Sequence, residues 1–393
     1  MTLDIAAVQA ALREDGLDGW LLYDFHGSNP IARAIARLDG TGKMTTRRWF
    51  YMIPASGEPR GLVHAIERHT LDGLPGSKLV YGGREQLQAG LMELLGQARR
   101  IAMEYSPGGA IPYLARVDAG TIDNIRAAGV AVVSSGDLVQ RFEAPWEASA
   151  VDSHRAASER LYSIKDRTFD TIAEQVRRGS RPTEYDIQQL MAGWFAEHGL
   201  TSDAAPVVAV NANAGDPHYQ PPARGSAPIG PDDLVLVDLW GKLERPGAVY
   251  ADITWVAFTG ASVPDEPAAA FAAIAGARDA AVDLVVTAAR RRADIRGWEV
   301  DRAARAVLQE AGYGSRILHR TGHSLGESVH GNGAHLDDYE THDDRRLLPG
   351  SGFTIEPGLY FETFGVRTEI NMVFGDGDAV VTGPVQKEIV TLA

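Results

Sequence analysis

Leu3, Ala7, Val8, Ala11 and Leu12 recur at helical spacing, and Gly16 stands where that helix would end. From Trp20 to Phe25 the pattern becomes that of a strand. Trp49–Ile53 and Leu62–Ile66 flank Ser56-Gly57-Glu58-Pro59, which predicts a hairpin. Strands at Lys78–Tyr81 and Ile101–Glu104 bracket a helix carrying Leu87, Leu91 and Leu94, and Val130–Val133 adds one more strand. Strands alternating with helices predict an α/β domain over residues 1–145. The break falls at Ala144-Pro145-Trp146, because proline resists a helix running through it.

Residues 146–393 read differently. Two helical stretches, Trp146–Val176 and Thr183–His198, come first, with Thr183 as the N-cap ahead of Glu184 and Asp186. Strands follow at Val207–Val210, Leu234–Trp240, Val249–Phe258 and Gly352–Phe361. Helices at Pro267–Arg291 and Val300–Gly312 interrupt them.

Composition narrows the chemistry. Among 393 residues, 38 Lys and Arg face 52 Asp and Glu, a net charge of −14, which disfavours a nucleic-acid partner. The absence of Cys excludes disulfides, thiolate nucleophiles and Cys-ligated zinc, so any metal must be held by His, Asp and Glu. No apolar run is long enough to predict a membrane span, and Met1-Thr2-Leu3-Asp4 lacks the basic start of a signal peptide; a cytoplasmic location is the expectation.

Carboxylates and imidazoles then appear where apolar residues are expected. Asp238 ends the run Val235-Leu236-Val237, and Asp252 follows on the partner strand of the same hairpin. A buried strand carries Asp only when the charge is paired or metal-bound. Taken alone, the pair could equally be two rim carboxylates. His319, His323 and His330 cluster around Gly322, Gly326 and Gly331, which implies backbone held close to something. Glu356 and Glu369 interrupt further apolar strands, with Arg367 two residues before Glu369 and predicted on the same strand face. Four carboxylates and an imidazole suit two divalent cations, Mn2+ first, with Zn2+ or Co2+ as the other candidates.

The order Asp238, Asp252, His323, Glu356, Glu369, with Thr354-Ile355-Glu356-Pro357-Gly358, resembles the pita-bread metallopeptidases: methionine aminopeptidase, aminopeptidase P, prolidase and creatinase. The motif match covers roughly Val210 to Val373, and the first half is similar in layout to the creatinase-type N-terminal domain. The resemblance implies an α+β chain, with a pita-bread catalytic domain over 146–393 whose curved, mainly antiparallel sheet is covered by helices. It also implies an N-terminal α/β creatinase-like domain over 1–145. It makes Asp238, Asp252, His323, Glu356 and Glu369 the ligands of two divalent ions per subunit, Asp252 and Glu369 bridging them. Glu356 is then the proton shuttle for an activated water, His330 and His319 line the Xaa-Pro site, and Arg367 and Tyr360 surround it, with His218 on the substrate side.

That resemblance implies a homodimer acting on Xaa-Pro dipeptides or short peptides. Prolidase activity is the first expectation and aminopeptidase P, taking longer chains, the alternative. A metal-free creatine hydrolase or a non-enzymatic binding module would dispense with ligands that all stand here. A prolidase needs a cation for the carboxylate on proline, and Arg47 and Arg48, after the loop Gly40–Thr46, are the candidates for that clamp. The sequence departs from the family pattern in a longer Asp238–Asp252 hairpin, with Lys242–Pro246 as the insertion, and in Gly331 and Trp255 where acidic and Arg residues are frequent. The acidic stretch Asp337–Asp344 reads as a solvated loop.

Overall fold

Asp4 caps the first helix by accepting the Ala7 N–H at 3.0 Å, and α1 (Ile5–Glu14) turns Val8, Ala11 and Leu12 inward. The elements that follow are β1 (Gly19–Asp24), α2 (Pro30–Ile35), β2 (Trp49–Pro54), β3 (Arg60–His64), β4 (Ser77–Tyr81), α3 (Arg84–Leu95), β5 (Arg100–Met103), α4 (Ala119–Ala127), β6 (Ala131–Ser134) and α5 (Gly136–Glu143). The computed structural model describes residues 3–38 and 45–393, so residues 40–44 of the expected loop lie outside the described residues. The chain divides into two units, Met1–Glu143 and Ala144–Ala393.

The first unit is a six-stranded mixed sheet in the order β4-β3-β2-β1-β5-β6. The hairpin is present, with Phe50 opposite Leu62. Three short helices, α2, α4 and α5, were not expected from periodicity: each is under three turns, too few for an apolar stripe to repeat. Asn29 and Asp118 nevertheless cap two of them, a signal that could have been read.

The second unit starts with α6 (Ala148–Arg177) and α7 (Glu184–Glu197). Thr183 caps α7 reciprocally with Asp186: its hydroxyl accepts the Asp186 N–H at 3.1 Å, and its own N–H donates to the Asp186 carboxylate at 2.9 Å. Then come β7 (Leu200–Thr201), β8 (Val207–Val210), β9 (Leu234–Leu243), β10 (Ala251–Phe258), α8 (Asp265–Arg291), α9 (Gly297–Glu310), β11 (Ser324–Leu325), β12 (Ser351–Ile355), β13 (Gly358–Tyr360), β14 (Gly365–Arg367), β15 (Ile370–Phe374), β16 (Ala379–Val381) and β17 (Val390–Thr391). All pairings are antiparallel except β10 with β17.

Alternation along β9 and β10 decides which side carries chemistry. Val235, Val237, Leu239 and Ile253 bury against Leu161 and Ile164 of α6 and Ile187 and Met191 of α7. Leu234, Leu236, Val256 and Phe258 bury on the opposite face with Phe271 and Ile274 of α8. Asp238, Asp252 and Thr254 share this second face by the period of two, so the polar site interrupts a hydrophobic layer. Trp255 points to the helix side, where the Lys165 ammonium sits 4.0 Å over its ring.

The longer hairpin continues as strand through Lys242 and Leu243 and then turns over Glu244–Gly247. β9 runs on to Leu243 and pairs with β7, Leu200 opposite Leu243 and Thr201 opposite Lys242. The predicted strand Gly352–Phe361 is two strands, because Pro357 has no N–H to continue the ladder. The acidic stretch is a loop that is solvated only in part, with Glu340, His342 and Asp344 exposed. Asp337 and Asp343 are fully buried, Asp337 accepting the N–H groups of Tyr339, Glu340 and Thr341, and Asp343 pairing with Arg345.

His154 of α6 is buried neutral, with Nδ1 on the Tyr250 carbonyl at 2.8 Å and Nε2 on the Thr382 hydroxyl at 2.6 Å. Burial lowers its pKa to about 4. The unfolded chain, titrating near 6.5, binds the proton first, so the stability that neutral His154 supplies is lost as pH falls from about 6.5 towards 4. The stability gap between wild type and His154→Gln, read by urea unfolding, should narrow by about 2 kcal/mol between roughly pH 7.5 and pH 5. A gap that does not change with pH would contradict this.

Candidate metal centre

The β9–β10 register sets Asp238 opposite Thr254 and Asp252 opposite Trp240. His323 reaches the same place from the segment before β11. Its N–H donates to the Thr354 hydroxyl at 3.0 Å, and the Thr354 N–H donates back to the His323 carbonyl at 2.9 Å. Gly322 permits this approach, since a Cβ there would lie 2.1 Å from the Thr354 carbonyl oxygen. Glu356 follows directly on β12 and donates its N–H to the Thr321 carbonyl at 2.7 Å. Glu369 lies between β14 and β15, where its N–H donates to the Thr254 carbonyl at 3.2 Å and ties the two sheets together.

Asp252, His323 and Glu369 are buried, and each offers a ligand atom such that all lie within 4.8 Å of one another. His323 Nε2 is 3.6 Å from Asp252 Oδ2 and 3.4 Å from Glu356 Oε1. Its Nδ1 faces the Ser324 carbonyl at 3.2 Å, which favours the tautomer whose Nε2 lone pair points at the carboxylates. Burial lowers the His323 pKa, so the ring is neutral as a ligand must be.

Electrostatics state the same requirement. Burial first, then the charges of Asp238 and Glu356, pushes Asp252 well above the usual carboxylate range. Burial and then Asp252 do the same to Glu369. Arg367 acts on all four carboxylates and Arg320 on Glu356 as well, two cations against four acidic groups. Asp252 Oδ1 is buried with no hydrogen-bond partner among the described residues. Acceptor-only oxygens, one neutral imidazole and an orphaned carboxylate oxygen fit hard or borderline divalent cations.

Arg367 is not beside Glu369 on one strand face, because β14 ends at Arg367 and the backbone turns before β15. It binds Asp238 Oδ2 through Nη2 at 2.5 Å, the Thr254 hydroxyl at 3.1 Å and the Tyr360 hydroxyl at 3.1 Å. Thr254 then donates to Glu369 Oε2 at 2.7 Å, so Arg367 reaches that carboxylate only through a hydroxyl. Burial raises the Tyr360 pKa to about 12, and the phenol donates to His319 Nε2 at 2.6 Å. The other His319 nitrogen meets the Arg320 carbonyl at 2.6 Å. Both ring nitrogens are thus engaged by protein groups, while the His319 ring stays partly exposed.

His330 is solvent accessible and packs edge-on against His323, ring centroids 4.5 Å apart. His218 is exposed on the segment after Asn211–Gly215, where its N–H donates to Asp216 at 2.9 Å; no hydrogen bond, ion pair or ring contact joins its side chain to the cluster. Arg47 and Arg48 belong to the first unit and are exposed. The Arg47 N–H donates to Glu67 at 3.0 Å, and the Arg48 guanidinium lies 5.6 Å over the Phe25 ring.

Two supports were not foreseen. Asn371 accepts the Asp252 N–H at 2.9 Å, and Asp301 of α9 accepts both the N–H and hydroxyl of Thr321, at 3.0 and 2.7 Å. A lone Asn within the apolar run Ile370–Phe374 was the available signal for the first.

Buried carboxylates on two paired antiparallel strands, with an imidazole and two more carboxylates brought in from strand ends and connections, form a metallohydrolase centre. The profile of metallopeptidase family M24 matches residues 155–376, and the chain belongs to that family. A probable dipeptidase PepE of Mycobacterium tuberculosis is 29% identical over 269 residues, spanning 68% of this chain and 65% of that relative's length. A Xaa-Pro dipeptidase of Lactobacillus helveticus is 30% identical over 203 residues, spanning 51% of this chain and 49% of that protein. The crystal structure of dipeptidase PepE from Mycobacterium ulcerans superposes with a TM-score of 0.72 at 24% identity, over 99% of this chain and 96% of that one, and shows the shared pita-bread fold. No helix of the described residues is long and apolar enough to cross a membrane.

Proposed function

We propose that this chain is a divalent-metal-dependent peptidase that hydrolyses the Xaa-Pro bond, dipeptides first. The observation that carries the reading is the buried Asp252–His323–Glu369 cluster with its orphaned Asp252 oxygen, flanked by Asp238 and Glu356. The names of relatives acting on Xaa-Pro dipeptides support the substrate class. These five side chains would hold the ions, and bound divalent metal supplies a Lewis acid and lowers the pKa of water.

The remaining roles belong to the chain itself. Glu356, its Oε1 fixed by the Thr354 hydroxyl at 3.0 Å, takes a proton from the attacking water and returns it to the leaving nitrogen. The proline nitrogen of an Xaa-Pro bond carries no hydrogen, so it leaves only once protonated. His330, open to solvent beside His323, stabilises the carbonyl oxygen as it gains charge. Arg367 and Tyr360 hold Asp238 and His319 in place, and His319 is a positioning residue. His218 is assigned to the substrate's approach by resemblance alone.

Ala-Pro, Ala-Pro-Ala and Ala-Ala, assayed side by side with Mn2+, test the proposal. Turnover of the two proline peptides, faster on the dipeptide, is expected; cleavage of Ala-Ala alone would overturn it. For the dipeptide preference, replacing whichever of Arg47 and Arg48 grips the terminal carboxylate with Ala should raise KM for Ala-Pro by about tenfold or more while sparing the tripeptide. Wild-type behaviour of both variants would remove the clamp from these residues.

A further inference from the structure

The extended part of the β9–β10 hairpin carries side chains that the reaction does not use. On the face of Asp238 and Asp252, the next positions outward are Trp240, directly opposite Asp252, then Lys242 and Tyr250. The same extension pairs with β7, and Ser202 and Asp203 follow that strand immediately. Asp203 is thereby delivered to Trp240, whose indole N–H donates to Asp203 Oδ1 at 2.7 Å. Asp203 is exposed, and its second oxygen has no hydrogen-bond partner among the described residues. Lys242 on this face is already held: its ammonium donates to the Glu327 carbonyl at 2.5 Å and lies 5.1 Å over the Tyr250 ring.

Asp203 is one hydrogen bond from Trp240, the residue paired opposite Asp252. Burial is the main influence on Asp252 and His330, and Asp203's negative charge is felt by both. A partly exposed indole opposite a metal-site carboxylate, ending on an exposed carboxylate, has the polarity that a long cationic side chain needs. The aliphatic stem would lie on the ring and the charged head on the carboxylate.

We propose that Trp240 and Asp203 form the subsite for the side chain of the substrate's N-terminal residue, and that it selects lysine and arginine there. This rests on the Xaa-Pro peptidase reading above and adds the residue preferred before proline. The chain's net charge of −14 would favour cationic peptides at encounter as well.

The test is kcat/KM on Lys-Pro, Arg-Pro, Leu-Pro and Glu-Pro for wild type, Asp203→Asn, Asp203→Glu and Asp203→Lys. Wild type should order them Lys-Pro and Arg-Pro above Leu-Pro above Glu-Pro. Asp203→Asn should lower the ratio of Lys-Pro to Leu-Pro about tenfold, Asp203→Glu should restore most of it, and Asp203→Lys should bring Glu-Pro above Lys-Pro. A ratio unchanged in Asp203→Asn, or a uniform loss on all four substrates, overturns the subsite while leaving the peptidase reading intact. No turnover of any of the four by metal-loaded wild type overturns the activity itself.

Discussion

Glu369→Gln should leave a folded protein that binds less divalent metal and has lost about 1,000-fold or more in kcat/KM. Glu369 is 2% exposed, and its Oε2 already accepts from Thr254 at 2.7 Å, so an amide of the same size keeps the packing. What the amide removes is the charge that, with Asp252, makes the cluster attractive to a cation. Because burial and Asp252 disfavour the ionised form of Glu369, the metal-free protein should gain stability from the change even as activity disappears. Metal content by mass spectrometry and thermal unfolding, run together, check both halves. A variant that retains its full metal complement would show that Glu369 is not a ligand.

His330→Ala should behave differently. His330 lies outside the group of ligand atoms and touches His323 only ring edge to ring face, so metal content should stay near wild type. The loss in kcat/KM should be about 100- to 1,000-fold, the size typical of one group that stabilises a developing oxyanion. It should fall on kcat more than on KM, since the interaction strengthens only as the carbonyl oxygen gains charge. Metal loss in proportion to activity would move His330 into the coordination sphere.

Much of this centre could be read from the chain because carboxylates are costly in apolar strands. Asp238, Asp252, Glu356 and Glu369 stand out against Val, Leu and Ile neighbours, and the structure brings all four around His323. What was misread depends on where strands stop and which strands meet. Counting along one strand puts Arg367 on the face of Glu369, but the strand ends at Arg367, and its ion-pair partner is Asp238 from another sheet. The roles of Asn371 and Asp301 exist only once β15 meets β10 and α9 meets the Thr321 segment. The acidic stretch misled for a related reason: Asp337 and Asp343 supply acceptors to a folded turn, and composition cannot tell such a turn from a solvated one. The pairing of the hairpin extension leaves no signal in the sequence because its partner β7 is two residues long and carries no period of its own.

The central claim, metal-dependent Xaa-Pro hydrolysis, is met most directly by titrating Mn2+ into exhaustively chelated, full-length protein while following Ala-Pro cleavage. The account predicts no turnover before addition and recovery that saturates with the filling of the Asp252–His323–Glu369 centre. Turnover at full rate in the chelated protein would contradict it.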